Sequence, residues 1–388
     1  MTLSFEVLAR SGHARSGRLH TPHGVVETPA FMPVGTLGAV KGMTPQELEA
    51  AGASIMLANL YHLALRPGID VVETLGGIHR FTGWHGPILT DSGGFQVWSL
   101  GGLRTVDAGG VTFRSHLDGS PLRFTPEGVV SFQERMGVDI AMMLDECPPW
   151  PVEKAAAAAS WERTLHWARR ARAAWREGDT ALFGIVQGSA YRDLRERAAA
   201  ELGGLDFPGY AIGGVSVGEP EPGAVVAWTA PLLPADKPRY LMGVGYPADI
   251  IHAVAQGVDL FDCVLPARNA RHGVLFTREG VLRIKNARFK DDPRPVDPGC
   301  ACPACARVSR AFLHHLTRAG ELTAAVLSTL HNLRFYLDFM AEVRQAIQLG
   351  ALADMASLAR RTIGEEPPDG PDPGVPPVSS HPLEQRSS

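Results

Sequence analysis

Eight short apolar runs, each ended by a polar or glycine residue and separated from the next by other sequence, constrain this chain more than any other feature. In order they are Thr28 to Pro33; Ser54 to Ala58, then Asn59; Ile88 to Thr90, then Asp91; and Asp139 to Leu144, then Asp145. Leu182 to Val186 follows, then Gln187; Tyr210 to Ile212, then Gly213-Gly214; Tyr240 to Met242, then Gly243; and Asp259 to Phe261, then Asp262. Each run is too short for a stable helix, and continuous rather than alternating apolarity predicts strands buried on both faces, as in a parallel sheet. Helical sequence lies between several of them: Thr125 to about Arg135, with Pro126 in the first turn, then Glu153 to Arg176, Tyr191 to Leu202 and Pro247 to Gln256. Strand–helix alternation repeated eight times predicts a (β/α)8 TIM-type barrel, with a doubly wound open sheet as the alternative.

The chain has 388 residues, 45% of them apolar, enough for one large core or two ordinary domains. Two segments depart from the repeat. Leu100 to Arg123, with its glycine pairs and Asp118-Gly119, predicts a β-hairpin inserted after the third strand. The stretch from about 278 to 348, ending in a long helix over Leu322–Gln348, predicts a small subdomain, so that residues 1–364 form one catalytic domain that includes it. Residues 365–388, rich in proline and poor in apolar side chains, read as a disordered tail. No apolar stretch of about 18 residues lacks charges, which argues against a membrane span. The first residues carry no basic lead before an apolar run, and a cytoplasmic enzyme is the expectation.

In a barrel the residues that end the strands ring the C-terminal mouth, where this fold places its active sites. Asn59, Asp91, Asp145, Gln187, Gly214 and Asp262 would converge there. Any one of them alone is more simply a loop residue capping a helix. Three carboxylates and an amide in equivalent positions ask for chemistry.

Of the five cysteines, Cys147, Cys263, Cys300, Cys302 and Cys305, three crowd into six residues. That layout suits a metal better than a disulfide framework. A closed structural zinc shell needs a fourth ligand, and spacing alone leaves His314, His315 and His331 open. The formal charge of −4 does not advertise a nucleic-acid binder, yet from Val264 to Arg294 six Arg and two Lys face three acids. Such a patch could serve phosphate binding, although a solvated basic surface explains it as well.

Several of these segments together resemble the bacterial tRNA-guanine transglycosylases. They are Thr90-Asp91-Ser92-Gly93-Gly94-Phe95-Gln96, Leu144-Asp145-Glu146-Cys147, Gly184-Ile185-Val186-Gln187-Gly188 and Ile212-Gly213-Gly214-Val215-Ser216-Val217-Gly218-Glu219. Tyr240 to Gly245, Phe261 to Arg268, the cysteine cluster and His331-Asn332-Leu333 complete the set, in the family's order from about residue 20 to 350. The resemblance implies a barrel with a zinc subdomain, one structural zinc per chain on Cys300, Cys302, Cys305 and His331, and a homodimer. It implies exchange of guanine at the wobble position of U-G-U anticodons (the Asn, Asp, His and Tyr acceptor tRNAs) for a 7-deazaguanine. By position, Asp262 resembles the nucleophile and Asp91 the general acid/base. Asp145, Gln187 and the Gly214 backbone resemble the base-reading groups, with the Val215 carbonyl available beside them. Phe95 would stack on the base, and Cys147 and Met242 would line the pocket. Arg268, Arg271 and Lys285 are the candidate tRNA contacts in the basic segment.

That chemistry is intelligible from the residues. Replacing a purine on ribose with retention calls for two displacements at C1′, and a carboxylate can both attack such a centre and later depart from it. A second carboxylate manages the protons of the departing and incoming bases. The target base must be flipped out of the anticodon stack to be reached. Some positions depart from the family pattern: Phe95 replaces Tyr, Val215-Ser216 replaces Leu-Ala, and Ala267 and Ala270 replace Thr and Gly. None of these removes a catalytic group. Val217, where eukaryotic relatives have Gly, implies preQ1 (7-aminomethyl-7-deazaguanine) over the bulkier queuine, and no archaeal-type RNA-binding extension is expected. The rivals are a non-catalytic tRNA-binding subunit, which loss of Asp91 or Asp262 would signal, and a metal-dependent barrel hydrolase, which needs histidines at the strand ends.

Overall fold

A computed structural model describes residues 3–94, 104–215, 221–355 and 359. Three antiparallel strands come first: β1 (Ser4–Ser11), β2 (Ala14–Thr21) and β3 (Gly24–Thr28). They lead into the barrel strands β4 (Ala30–Gly35), β5 (Met56–Ala58) and β6 (Ile88–Thr90). An inserted antiparallel sheet follows, β7 (Arg104–Asp107), β8 (Gly110–Arg114) and β9 (Pro121–Phe124). The barrel resumes with β10 (Ile140–Met142), β11 (Ala181–Val186), β12 (Gly209–Ile212), β13 (Arg239–Leu241) and β14 (Leu260–Cys263). A hairpin of β15 (Val274–Thr277) and β16 (Gly280–Arg283) comes last.

Eight parallel strands close in the order β4-β5-β6-β10-β11-β12-β13-β14, with β14 pairing back onto β4 through Leu260 with Ala30 and Asp262 with Met32. The closed ring settles the choice between barrel and open sheet. Every residue of β5, β6, β10, β11, β12 and β13 is buried, which is why these runs are continuously apolar. All eight expected runs are barrel strands, and the helix over Leu322–Gln348 has the bounds its periodicity predicts. Its apolar stripe is shared between two cores. Ala324 belongs to a small cluster with Leu275, Ile284, Phe289, Val296 and Leu313, while Leu333, Tyr336, Phe339 and Val343 pack on the barrel.

Two sheets differ from expectation. The segment after the third barrel strand is a three-stranded meander, because Pro121–Phe124 pairs back onto β8 across the Asp118-Gly119 turn; the part of it before Arg104 lies outside the described residues. The N-terminal sheet is an element that the barrel repeat does not announce. It closes the N-terminal mouth: Arg15 of β2 donates to Asp259 before β14, at 2.8 and 2.5 Å, and His23 in the β2–β3 turn meets Asp139 before β10 at 2.9 Å. Arg15 and Asp259 are fully buried and meet in a forked ion pair, the geometry that best offsets their desolvation. Among the described residues no helix is long and apolar enough to cross a membrane.

Candidate active site and metal centre

At the opposite, C-terminal mouth lies a cavity of about 380 Å³, lined by Asp91, Asp145, Gln187, Gly214 and Asp262 together with Asn59, Cys147 and Met242. All six strand-end residues singled out from the sequence meet here. Asp262 lies inside β14 rather than after it, so a strand rather than a loop holds its backbone.

Asp91 follows β6 and is gripped from the next-door strand end. Asn59 donates its side-chain amide to Oδ2, and the Leu60 N–H donates to Oδ1 at 2.9 Å. Asn59 also caps the helix Leu60–Leu65, its Oδ1 accepting the His62 N–H at 3.0 Å. Burial pushes the Asp91 carboxyl up to about 7; the Leu60 N–H pulls against that, and the charges of Asp262 and Asp145 add to it. A carboxyl poised near neutrality is suited to taking and giving protons.

Asp145 follows β10 and accepts from Ser92 Oγ at 3.0 Å and from Gln187 Nε2 at 2.7 Å. Burial raises it to about 6, and those two donors oppose the rise. Space here is tight: a Cβ at Gly94 would lie 1.9 Å from Asp145 Oδ1. Gly214, at φ +64°, would place a Cβ 2.6 Å from Gln187 Oε1, so both the backbone conformation and the space call for glycine. The Gly213 and Gly214 carbonyls accept from the buried Arg195 guanidinium at 2.8 and 3.1 Å, which fixes the loop from behind. Gln187 Oε1 is buried and has no hydrogen-bond partner among the described residues. Its amide nitrogen already donates to Asp145, so donation to a base carbonyl has to use the second N–H or a turned amide. The buried bare oxygen is a place for a ligand N–H.

Asp262 accepts at Oδ1 from the Tyr240 hydroxyl at 2.6 Å and from the Gly243 N–H at 2.7 Å. Burial raises this carboxyl too, and both donors lower it. Cys263 beside it is pushed up to about 12 by burial, so it stays a thiol.

Cys300, Cys302, Cys305 and His331 bring four ligand atoms within 4.8 Å of one another. Cys302 is the N-cap of the helix Pro303–Arg307, and His331 reaches over from the long helix, its Nδ1 lying 3.7 Å from Cys302 Sγ and 3.3 Å from Cys305 Sγ. His331 Nε2 lies 2.7 Å from the Phe276 carbonyl, which only accepts, so Nε2 carries the proton and the Nδ1 lone pair faces the sulfurs. That arrangement fits a metal ion held by three thiolates and one imidazole. His314 is engaged elsewhere, with Nδ1 2.7 Å from the Ile284 carbonyl.

A sequence model described as Queuine tRNA-ribosyltransferase matches residues 10–363. A queuine tRNA-ribosyltransferase of Desulforudis audaxviator is 58% identical over 352 residues, covering 89% of this chain and 95% of its own length. Those of Thiobacillus denitrificans and Thermus thermophilus are 55% and 53% identical, each over more than 90% of both chains. The chain belongs to the queuine tRNA-ribosyltransferase family.

Within this family member some expected residues stand apart from the cavity. Val215 is buried and lines a neighbouring cavity of about 190 Å³ instead. Phe95 and Val217 lie outside the described residues. Arg268 and Arg271 sit on the helix Leu265–Arg271, directly after the Asp262 strand, and Lys285 is exposed just past β16. The basic stretch is less positive than its count, because Arg278 is paired with Glu342 from outside it. Tyr240, Ser92 and Arg195 are groups that strand-end positions alone do not reveal. A tyrosine within a buried run is the signal for the first of them, since a buried phenol needs a partner.

Proposed function

We propose that this chain exchanges guanine at the wobble position of U-G-U anticodon tRNAs for preQ1 by double displacement through an aspartyl-ribose ester. The observation that carries this reading is one cavity at the barrel mouth holding Asp262 and Asp91 on its walls together with the Asp145–Gln187–Gly214 group. Asp262 supplies the nucleophile. Asp91, poised at about 7, takes the proton of the incoming base and returns one to the departing base. Asp145 and Gln187 offer acceptors to the N–H edge of a guanine-like base, and Arg195 holds the glycine loop beside them. Cys147 and Met242 supply apolar wall, and Phe95 is read as the stacking partner.

The four-ligand centre is read as structural zinc. A tetrahedral Cys3His shell leaves no open position, so the ion holds the subdomain together and does not activate water. Arg268, Arg271 and Lys285 are read as tRNA contacts, and the family resemblance implies a homodimer, which sedimentation would test. The reaction is tested by loading tRNA with labelled guanine and asking which unlabelled base displaces it. Release by preQ1 and guanine supports the reading, and no release by any base overturns it.

The choice of preQ1 rests on Val217, where a Gly would leave room for the cyclopentenediol of queuine. Valine carries an isopropyl group that glycine lacks, and excess volume of that kind against a ligand costs roughly 1–3 kcal/mol, a selectivity of about ten- to a hundredfold. Val217→Gly is expected to gain queuine exchange and to keep guanine exchange. Equal use of both bases by the parent protein would exclude this role.

A further inference from the structure

Asp262 is held by one oxygen only. Tyr240 and the Gly243 N–H both donate to Oδ1, and among the described residues no protein donor reaches Oδ2. The register explains the contact. Tyr240 in β13 is paired with Leu260 in β14, and Asp262 is two residues further along the same face, so the long phenol reaches up to the carboxylate. Tyr240 is 1% exposed, and its hydroxyl has this carboxylate as its acceptor.

We propose that Tyr240 is a positioning residue for the nucleophile, making the two oxygens unequal so that Oδ2 attacks C1′ and favouring the step in which Asp262 departs. This rests on the covalent reading above. In the first displacement the Oδ2 lone pair bonds to C1′ while the C1′–N bond breaks, its electron pair leaving with the protonated guanine. Oδ1 then becomes the carbonyl oxygen of a neutral ester. In the second, the deprotonated nitrogen of the incoming base bonds to C1′ and the C1′–Oδ2 pair returns to the carboxylate. A hydroxyl bonds an anionic oxygen more strongly than an ester carbonyl. Tyr240 therefore pulls the equilibrium away from the ester and speeds its breakdown, at the expense of slower formation. Burial holds the phenol well above its ordinary range, so it remains a donor at every working pH.

Tyr240→Phe keeps the ring and removes the donor. In steady state the ratio of denaturation-resistant tRNA adduct to free enzyme is expected to rise roughly tenfold or more, the scale of a hydrogen bond to a charged group. The acid limb of the pH–rate profile should move to higher pH, because the bond favours the ionised nucleophile, and KM for tRNA should fall together with kcat as the adduct accumulates. Parent enzyme and Asp262→Asn run alongside. No adduct from the parent overturns the covalent reading itself. Adduct from the parent, with the same ratio and the same limb in Tyr240→Phe, overturns the role of Tyr240. Placing 3-fluorotyrosine at position 240 preserves the shape and strengthens the donor, so it decides the matter should the Phe variant fold poorly. The ratio and the limb should then move the opposite way, and no movement overturns the proposal.

Discussion

At the scale of single residues, one environment, burial at the mouth of the barrel, raises all three carboxyls, and their donors then set them apart. Asp91 is carried to about 7 and Asp145 to about 6, while Asp262 keeps two donors on one oxygen. Asp262→Asn should retain tRNA binding and lose both exchange and adduct; an Asn variant that still forms adduct would reassign the nucleophile. Asn59 allows its two roles to be separated. Asn59→Ser keeps a side chain able to cap the helix Leu60–Leu65 but withdraws the amide from Asp91. The pH at which the exchange rate bends, expected near 7, should move upward, because the lost donor favours the ionised carboxylate. The melting temperature should change little. An unchanged bend would mean that Asn59 serves only as a cap.

At the scale of elements, the Cys300–Cys302–Cys305–His331 cluster joins a loop to a helix that the barrel also uses. The small core around Leu275, Phe289 and Leu313 is separate from the main one, and none of the seven tryptophans falls between residues 275 and 348. Chelation should therefore lower helical circular dichroism while tryptophan emission, which reports the barrel, holds steady. Coincident loss of both signals would show one cooperative unit. His331→Ala should abolish metal content, and His314→Ala should leave about one equivalent; the reverse pattern would exclude His331 as a ligand.

At the scale of the whole molecule, a site built from buried carboxyls lowers stability. Asp145 has a folded value near 6 against 3.8 unperturbed, so folding favours its protonated form. Its contribution is fully present below about pH 4 and is lost as pH rises through 6. Asp145→Asn removes that loss: the new amide can still accept from Ser92, and a turned Gln187 then finds a partner for its bare oxygen. The variant should be more stable than the parent by about 1–3 kcal/mol at pH 8 and by much less near pH 4, read from thermal melts at both. A stability difference that does not change with pH would show that Asp145 is not held near 6.

What the amino-acid sequence determined by itself was periodic or local. Eight short, continuously apolar runs read as inner strands, the long helix carries its own stripe, and three cysteines in six residues mark a cluster that could hold a metal. Strand-end residues were legible as a ring, since a barrel turns equal positions along the chain into neighbours in space. Spacing could not choose His331 over His314, because helix Leu322–Gln348 folds back through tertiary packing that leaves no trace in spacing. Nor could it show that Asn59 holds Asp91, that Tyr240 and Gly243 share one oxygen of Asp262, or that Gln187 turns its nitrogen to Asp145. Those contacts join groups 19 to 42 residues apart, and their geometry is set by strand register and loop conformation. The N-terminal sheet was missed for a related reason: it covers the far mouth through Arg15 and His23, pairings that exist only once the barrel has closed.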